Sequence, residues 1–424
     1  MTLPIRLPTR IFLLVISLVV ISRSVTRGFS QMDAAADFTT RLDRHLERVT
    51  RRRGILGAPQ VAVSAPRLGI DYRSGGRSQR FHVASIGKTF TATLVMQLVE
   101  AGAVTIETPV SALLPGDELD GLFDTTGSTD AAGGATVAHL LTHTAGVADY
   151  FDGSVTDGRP VRDLVITEPD RLWTPADLLE FSRTRQRPVG RPGERFAYSD
   201  TGYILLGRIL ERATGRVFHE LLHERIFTPL GMRDSALLFH SVPANDREAA
   251  PAADAAAAAL EGTPAPGAAT AALAAETSTG TSLAIAPLRL GRTEASTFRS
   301  LSCDWAGGGI VSTPDDLVAF DAALHRGSLV SRESLAWLAE PRHRFHVGIR
   351  YGAGMMQVRF GGFSPFLRGL PRPIGHIGVL ATHLFHDPVH DAGIVLNFAS
   401  TREMSRSFRT LIAIEQELAR AARA

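Results

Sequence analysis

The amino-acid sequence predicts an α+β fold in which an antiparallel sheet, built from N- and C-terminal segments and flanked by helices, carries a helical lobe. Two observations indicate this fold. Short β-rich runs separated by glycine turns lie near both ends of the chain, whereas apolar residues in the middle follow helical spacing. The 424 residues are 44% hydrophobic and 21% charged, which suits one globular domain of two lobes.

The N-terminal half of the sheet lobe is predicted from three consecutive patterns. Apolar residues recur at helical spacing between residues 32 and 53: Phe38, Leu42, Leu46 and Val49. Two β-rich runs follow, Gln60–Ser64 and Arg80–Val83, and we expect them to pair as an antiparallel hairpin or meander. A long apolar-striped helix then begins near Ser85, so Ser85 lies at a strand-to-helix junction.

The rest of the chain is helical in the middle and β-rich again towards the end. Helices are expected around Leu140–Leu141, Ala176–Phe181, Gly202–Ala213 and Phe218–Phe227. β-rich runs return at Ile310–Ser312, Gly375–Leu384 and Gly393–Phe398, before a last helix from Arg402 onwards. We therefore place the sheet lobe at about 31–115 and 300–424 and the helical lobe at about 116–299. The alanine-rich stretch 249–278 is interpreted as a surface insertion.

The first 30 residues resemble an export signal. Arg6 and Arg10 precede an apolar run from Ile11 to Ile21, which is short for a membrane span. We expect residues 1–30 to be a signal peptide or, if uncleaved, an inner-membrane anchor, and the protein to be periplasmic or extracellular. Cys303 is the only cysteine, so an intrachain disulfide is excluded, and we expect it to pack in the core.

Charge gives little indication of a macromolecular partner. The formal net charge is +2, and the basic residues are scattered except at Arg51–Arg53. This triplet is interpreted as a charge cluster at a helix C-terminus, and no nucleic-acid partner is expected.

Lys88 is the only lysine, since all the other basic residues among the 45 Lys plus Arg are arginine. Arginine stays protonated in proteins, whereas a lysine amine can lose its proton in a suitable environment. A compositional preference for arginine could leave one lysine by chance. The alternative is a site that needs an amine, and the position of Lys88 three residues after Ser85 favours it.

A serine hydroxyl near neutral pH needs activation before it can act as a nucleophile. In the first turn of a helix, Ser85 and Lys88 share one face, and the free N–H groups of the helix N-terminus face any oxyanion that develops there. The S-x-x-K pattern alone is common, and it indicates a nucleophile here because it lies at a strand-to-helix junction.

Around Ser85, ASIGKTFTA resembles the nucleophile motif of the penicillin-recognising serine hydrolases, in the branch of class C β-lactamases, serine D-peptidases and related esterases. Further stretches resemble that family's recurrent segments in the same order: HLLTHTAGV (139–147), ERFAYSDTGYILLGRILE (194–211), IFTPLGM (226–232) and WAGGGIVSTPDDL (305–317). The resemblance covers about residues 36–400. It implies a β-lactamase/transpeptidase-like domain over residues 31–424 and no metal or organic cofactor.

The resemblance implies a role for each matching residue. Ser85 would be the acylated nucleophile, and Lys88 its general base or the partner that tunes the base. Tyr198, in YSD, matches the tyrosine of the family's Y-x-N motif and would relay protons.

The remaining implied site residues bind substrate. His376, Ile377 and Gly378 lie where the family has Lys or His, Thr and Gly on an edge strand beside the cleft. The backbone N–H groups of Ser85 and Val379 would form the oxyanion hole.

Two departures from the family pattern affect the expected substrate. Asp200 stands in place of an asparagine. It can accept a hydrogen bond from Lys88 but, when ionised, cannot donate one to a substrate. Its charge favours the protonated form of Lys88, which shifts the expected base role towards Tyr198. Ser199 or Asp200 could alternatively serve as a helix N-cap. Ile377 lacks the threonine hydroxyl that would bind the carboxylate of a β-lactam or peptide. An ester, or a less usual acyl or peptide substrate, is therefore favoured over a β-lactam or a D-Ala-D-Ala peptide.

Other motifs point elsewhere. HELLH at 219–223 matches a zinc-peptidase pattern, but its apolar stripe should turn His219, Glu220 and His223 towards solvent. Gly307–Gly309 are interpreted as a tight turn. Two histidine sets are assigned structural roles, namely His139 and His143 as packing or loop-closing residues, and His383, His386 and His390 as parts of a solvated strand and turn.

The sequence thus predicts a serine hydrolase that cleaves a small-molecule ester, amide or peptide through a Ser85 acyl-enzyme, of esterase, D-peptidase or β-lactamase type. An N-terminal segment retained as an anchor would add a membrane association. The alternative is a catalytically silent, penicillin-binding-protein-like binding or sensing protein, which the altered YSD and HIG motifs permit.

Overall fold

A computed structural model describes residues 32–51, 58–249 and 283–424. The predicted signal segment 1–30 and nearly all of the predicted insertion 249–278 lie outside these ranges. Within them, no helix combines the length and the hydrophobicity required to cross a membrane.

The strands of the described structure form one large sheet and two small ones. In chain order they are β1 (Gln60–Ala65), β2 (Ile70–Ser74), β3 (Phe81–His82), β4 (Ala236–Leu237), β5 (Arg289–Leu290), β6 (Thr293–Glu294), β7 (Ile310–Ser312), β8 (His343–His346), β9 (Ile349–Tyr351), β10 (Met356–Val358), β11 (Ile374–Gly378), β12 (Thr382–Asp387) and β13 (Ala392–Asn397). The large sheet has eight strands in the order β2-β1-β13-β12-β11-β10-β9-β8, with antiparallel pairing throughout. Strands β3, β7 and β4 form a three-stranded sheet.

Helices cover both faces of the large sheet. In chain order they are α1 (32–50), α2 (Gly87–Glu100), α3 (Gly116–Leu119), α4 (Val137–Leu141), α5 (Val161–Thr167), α6 (Pro175–Arg185), α7 (Asp200–Thr214), α8 (Phe218–Leu222), α9 (Ala244–Ala249), α10 (Trp305–Gly308), α11 (Pro314–Arg326), α12 (Arg332–Ala339) and α13 (Met404–Ala421). A π-helical turn, His223–Phe227, continues α8.

The predicted α+β class is confirmed, because N-terminal β1 pairs with C-terminal β13 in register from Gln60 opposite Asn397 to Ser64 opposite Gly393. Two details of the strand prediction are wrong. Strand β1 pairs with β2, not with the 80–83 run, which joins β7 in the small sheet. The run 375–384 is two strands, β11 and β12, with a turn at Ala381, whose φ is 57°.

Two apolar cores lie on opposite faces of the large sheet, and the alternation of strand side chains assigns residues to them. On β1, Val61 and Val63 pack with α1 and α13, whereas Ala62 packs with the cluster that contains α2 and α7. On β13, Ile394 packs on the same face as α1 and α13, and Val395 packs with the cluster that contains α2 and α7. Because both faces are covered, these strands consist of continuous apolar residues and lack a polar face.

The contact between α7 and α10 requires a residue without a side chain. A Cβ placed on Gly207 would lie 2.5 Å from the Trp305 ring and 2.7 Å from the Ala306 Cβ. Gly202, in the same helix, has room, since its nearest neighbour would be 3.7 Å from an added Cβ.

We therefore expect Gly207→Ala to lower the free energy of unfolding by about 1–3 kcal/mol, because the overpacking outweighs the better helix propensity of alanine. Gly202→Ala is the matched control and should be neutral or slightly stabilising. Urea unfolding followed by circular dichroism measures both, and equal effects of the two substitutions would contradict the close-packing explanation.

Candidate active site

Ser85 lies in a 3₁₀ turn, Ala84–Ile86, that leads directly into α2. The preceding residue, Ala84, has φ 51°, a left-handed conformation that is unfavourable for a residue with a side chain. His82 at the end of β3 stabilises this turn, because its Nδ1 accepts the Ala84 N–H at 3.1 Å. Its other nitrogen, Nε2, therefore carries the proton and lies 3.7 Å from an Asp304 oxygen. Ser85 itself is half-buried in this turn.

Lys88 is fully buried, and its ammonium group has three acceptors. Nζ donates to the Ser85 Oγ at 3.2 Å, to the Gly307 carbonyl at 2.9 Å and, as the closest partner, to the Asp200 carboxylate. These three bonds match the three hydrogens of an ammonium group. Burial alone would lower the pKa of Lys88, but the charges of Asp200 and Tyr198 and their hydrogen bonds outweigh it, so the pKa is raised.

Asp200 begins α7 but does not cap it. Ser199 occupies the N-cap position, yet its hydroxyl donates to the Ala148 carbonyl at 2.9 Å and makes no cap bond. The Asp200 N–H instead donates to the Asp149 carboxylate at 3.1 Å. Ser199 therefore holds the N-cap position that the sequence analysis considered, although without a capping side-chain bond, and the Asp200 side chain is directed to Lys88.

Two further carboxyl groups stand near Asp200. Burial and the charge of Asp200 raise the pKa of Asp149 to about 7, and the same two effects, partly offset by Lys88, raise the pKa of Asp304 to about 7. One lysine thus lies among three acidic side chains, and it is the direct partner of one of them. Below about pH 7 the other two are largely protonated, which limits the repulsion among them.

The phenol of Tyr198 faces the same ammonium group, with Lys88 Nζ 5.1 Å from the ring centre. Burial raises the pKa of Tyr198 above its usual range. The charge of Lys88 counteracts this, the charge of Asp200 adds to it, and hydrogen bonds with Ser85 and Lys88 lower it again. The net direction is upward. The structure therefore brings together the predicted residues Ser85, Lys88, Tyr198 and Asp200.

His143 holds the segment that carries Tyr198. Its Nδ1 accepts the Ser199 N–H at 3.1 Å, and its ring lies 4.2 Å, centre to centre, from the Tyr198 ring. Its Nε2 is 2.9 Å from the Tyr351 hydroxyl, which is 3.2 Å from that of Tyr203. This network agrees with the expected loop-closing role of His143, but its contact with Tyr351 joins segments more than 200 residues apart.

The glycines of WAGGG make room for the site. A Cβ on Gly307 would lie 3.2 Å from the Asp200 carboxylate and 3.6 Å from Lys88 Nζ, and one on Gly308 would lie 2.7 Å from the Ala84 carbonyl carbon. Gly87, in turn, contacts Gly308 backbone to backbone. The predicted tight turn at Gly307–Gly309 is wrong for the first two glycines, which belong to the one-turn helix α10 and line the candidate site.

The HIG segment lies on β11. The prediction that this is an edge strand is wrong, because β10 pairs with it. That pairing ends at Gly375, so the half of the strand that carries His376–Gly378 lies beyond the β10 register. A Cβ on Gly378 would lie 2.8 Å from the Ala84 Cβ, which puts the residue before Val379 against the Ser85 turn.

His376 and Ile377 alternate along β11 and so face opposite sides of it. His376 is fully buried, and burial together with the Lys88 charge lowers its pKa to about 3, so the ring is neutral. Ile377 lines an apolar cavity of about 470 Å³. Phe345, on the wall of that cavity, also contacts the Tyr198 ring at 5.4 Å, centre to centre.

The remaining sequence motifs are explained by packing. The stripe Phe218, Leu221 and Leu222 is buried, as expected, and Glu220 pairs with Arg216 on the surface at 2.8 Å. His223 contacts the Ser241 hydroxyl at 3.0 Å.

The prediction of a solvated strand and turn for His383, His386 and His390 is wrong, since all three are buried. The covering elements are helices distant in sequence, which the local pattern could not reveal. Cys303 is buried as expected.

Four residues at the site were missed or underestimated by the sequence analysis: His82, Asp149, Asp304 and Gly307. His82 and Asp304 carry no recognisable motif, and they meet only because β3 and the segment before α10 converge on the Ser85 turn. A buried histidine two residues before a left-handed position and an acid directly preceding WAGGG are the only local signals.

Comparison with known proteins identifies the family to which the chain belongs. A family model for β-lactamases matches residues 71–418. The chain is 34% identical over 161 residues to penicillin-binding protein 4 of Amycolatopsis lactamdurans, covering 37% of this chain and 36% of that protein. It is 31% identical over 219 residues to esterase EstB of Burkholderia gladioli, covering 47% and 52%. The matched stretches thus span about a third to a half of these relatives.

Among solved structures, D-amino acid amidase from Ochrobactrum anthropi SV3 superposes with a TM-score of 0.66 at 22% identity, covering 92% of this chain and 100% of that one. This likeness shows a shared β-lactamase/transpeptidase-type fold. The family model covers most of the chain, and the chain therefore belongs to the β-lactamase family, a group of penicillin-recognising serine hydrolases.

Proposed function

We propose that this protein is a serine esterase that acts through an acyl-enzyme on Ser85. The observation that carries the proposal is the bond from the buried Lys88 ammonium to the Ser85 Oγ, at the start of a helix. An ammonium that donates to this oxygen stabilises the alkoxide that forms on deprotonation. The backbone N–H groups of Ser85 and Val379 would receive the carbonyl oxygen of the substrate.

In this proposal Lys88 tunes the nucleophile and does not take its proton. All three hydrogens of its ammonium group have acceptors, and its raised pKa leaves no lone pair free at neutral pH. Of the alternatives that the sequence left open, general base or tuning partner, the second fits this geometry.

Tyr198, in its phenolate form, would take the proton of Ser85 as the Ser85 Oγ bonds to the acyl carbon. The phenol then returns that proton to the leaving oxygen, and the acyl-enzyme remains. In deacylation, water bonds to the acyl carbon as Tyr198 takes one of its protons. Tyr198 passes that proton to the Ser85 Oγ as the bond between this oxygen and the acyl carbon breaks, which releases the acid and restores the serine. The charge of Lys88 assists because it favours the phenolate.

An apolar ester fits the surroundings better than a β-lactam. The cavity beside Ile377 is lined mostly by apolar and aromatic side chains, with His346, Ser405 and Arg409 among them, and Phe345 connects it to Tyr198. Asp200 cannot donate an amide hydrogen, and Ile377 offers no hydroxyl for a carboxylate. An esterase and an amidase are also among the similar proteins. We further propose that the protein meets this substrate after export, as the N-terminal sequence suggests.

The first prediction concerns the nucleophile. A fluorophosphonate probe should label the wild-type protein at Ser85 and should not label Ser85→Ala, because only an activated serine reacts with it. Ser128→Ala removes an exposed serine and is the matched control, with labelling expected to persist. Peptide mass spectrometry locates the adduct. Absence of labelling on folded wild-type protein would favour the silent binding or sensing protein.

The second prediction concerns the dependence on pH. Between about pH 8 and 10, where Asp149 and Asp304 are already ionised, kcat/KM for an ester should rise with pH, because Tyr198 must lose its proton and its pKa is raised. Asp200→Asn removes a charge that raises this pKa, so the rise should move to lower pH.

Asp157→Asn, at an exposed carboxylate of the same size, is the control and should leave the profile in place. A profile of Asp200→Asn that coincides with wild type, or that moves to higher pH, would reject the role given to Tyr198.

The third prediction concerns the acyl group. Ile349 lines the apolar cavity, so Ile349→Phe should reduce the ratio of kcat/KM for p-nitrophenyl hexanoate over the acetate about tenfold or more, because the longer chain loses its space. Ile166→Phe, on the exposed side of α5, should leave the ratio unchanged. If both variants keep the wild-type ratio, the cavity does not receive the acyl chain.

A further inference from the structure

The turn between β12 and β13 carries an unusual number of side chains that can bind metal ions. The segment HLFHDPVHD, residues 383–391, contains three histidines and two aspartates, and its histidines are buried. His386 and Asp387 are adjacent on β12, so they face opposite sides of the sheet. Each joins a separate group of histidine and carboxylate side chains, and the two groups differ in how well their charges are paired.

On one side of the sheet, His386 meets residues of α11. Asp321 lies 3.0 Å from His386 Nδ1 and 3.3 Å from His325 Nδ1. The carboxylate thus has two imidazole partners. Burial would raise the pKa of Asp321, but the charges of these two histidines and their hydrogen bonds outweigh it, so the pKa falls to about 2. The one carboxylate of this group is thus fully paired, and only His325 Nε2 lacks a partner among the described residues.

On the other side, Asp387 meets His390 and Glu415 of α13. The three residues expose 0%, 9% and 0% of their surface, and their ligand atoms all lie within 4.8 Å of one another. Asp387 accepts the Val389 N–H at 2.8 Å through one oxygen and contacts His390 Nδ1 through the other.

Glu415 is the residue that this group leaves unexplained. Both of its carboxylate oxygens are buried, and neither has a hydrogen-bond donor within the part of the chain that the structure describes. Burial and the charge of the neighbouring Asp387 raise the pKa of Glu415 well above its usual range, and a protonated Glu415 can donate one hydrogen bond to Asp387. That single bond still leaves the other Glu415 oxygen without a donor. A buried carboxylate without a partner is costly, and natural proteins pair such a group or use it to bind a cation.

We propose that Asp387, His390 and Glu415 bind a divalent transition-metal cation, and that this ion ties α13 to the β12–β13 turn. Two carboxylates and one neutral imidazole balance the charge of such an ion. Zn²⁺ and Mn²⁺ both accept this donor set, with water at the remaining positions. Ca²⁺ is a poorer fit, because it takes six to eight oxygen ligands. The site is separate from the Ser85 chemistry, and its expected effect is on stability.

The test compares metal binding by the full chain and by Glu415→Gln. After dialysis against a chelator, wild type titrated with ZnCl₂ should bind one ion through this group, and its melting temperature should rise by about 3 °C or more at saturation. Glu415→Gln keeps the shape but loses a ligand, so binding should weaken about 100-fold or more and the rise should disappear. Calorimetry, elemental analysis and thermal melts followed by circular dichroism give these readouts.

Two control variants separate this site from other effects. Glu417→Gln, two residues along α13 at a partly buried carboxylate paired with Arg41 and Arg420, should bind Zn²⁺ like wild type. Asp321→Asn disrupts the histidine group on the opposite face and should leave the stoichiometric site intact. If Glu415→Gln does not fold, His390→Asn replaces it with the same expected loss.

Wild type that takes up no Zn²⁺ or Mn²⁺ at about 100 μM, or Glu415→Gln that binds as tightly as wild type, would overturn the proposal. In that case Glu415 is held as a neutral acid beside Asp387. Loss of binding in Asp321→Asn alone would also overturn it, because the ion would then belong to the other face of the sheet.

Discussion

The buried ion pair between Lys88 and Asp200 is the constraint on which the candidate site depends. Three segments meet at it, since Lys88 comes from α2, Asp200 from α7 and the Gly307 carbonyl from α10. Removing one partner of a buried pair costs about 3–5 kcal/mol, because the other charge is left without compensation. The pair therefore fixes how the helical lobe sits on the Ser85 turn. It also decides the chemistry, since an ammonium held by a carboxylate can polarise Ser85 but cannot accept its proton.

The geometry around this pair was only partly predictable from the sequence. Ser85 and Lys88 are three residues apart on one helix, so their contact follows from local spacing, and Tyr198 and Asp200 were placed by resemblance to known motifs. His82, Asp149 and Asp304 reach the site through contacts between distant segments, which no local pattern encodes. The fold class was predictable because β-rich runs mark both ends of the chain. The β1–β2 pairing and the position of β11 inside the sheet were not, because strands covered on both faces show no alternation from which to infer register.

The Ser85–Lys88–Asp200 network and the Glu415 group lie on opposite faces of the large sheet. The face towards α2 and α7 carries the serine turn and the ion pair, whereas the face towards α13 carries Glu415, its neighbours on the β12–β13 turn and the cavity beside Ile377. The two departures from the family pattern are divided between these faces, with Asp200 on the first and Ile377 on the second. Asp200 makes the pair with Lys88 stronger than a neutral asparagine could, and the proposed mechanism therefore gives the proton transfer to Tyr198.

The protonation state of Lys88 is the most direct measure of this arrangement, and the composition of the chain makes it accessible. Because Lys88 is the only lysine, protein labelled with ¹³Cε-lysine gives a single side-chain signal, free of overlap, whose chemical shift reports the charge of the amine. We expect the signal to keep its ammonium shift up to about pH 10, above which free lysine amines titrate. A titration midpoint below about pH 8 would show a neutral amine in the working enzyme and would return the role of general base to Lys88.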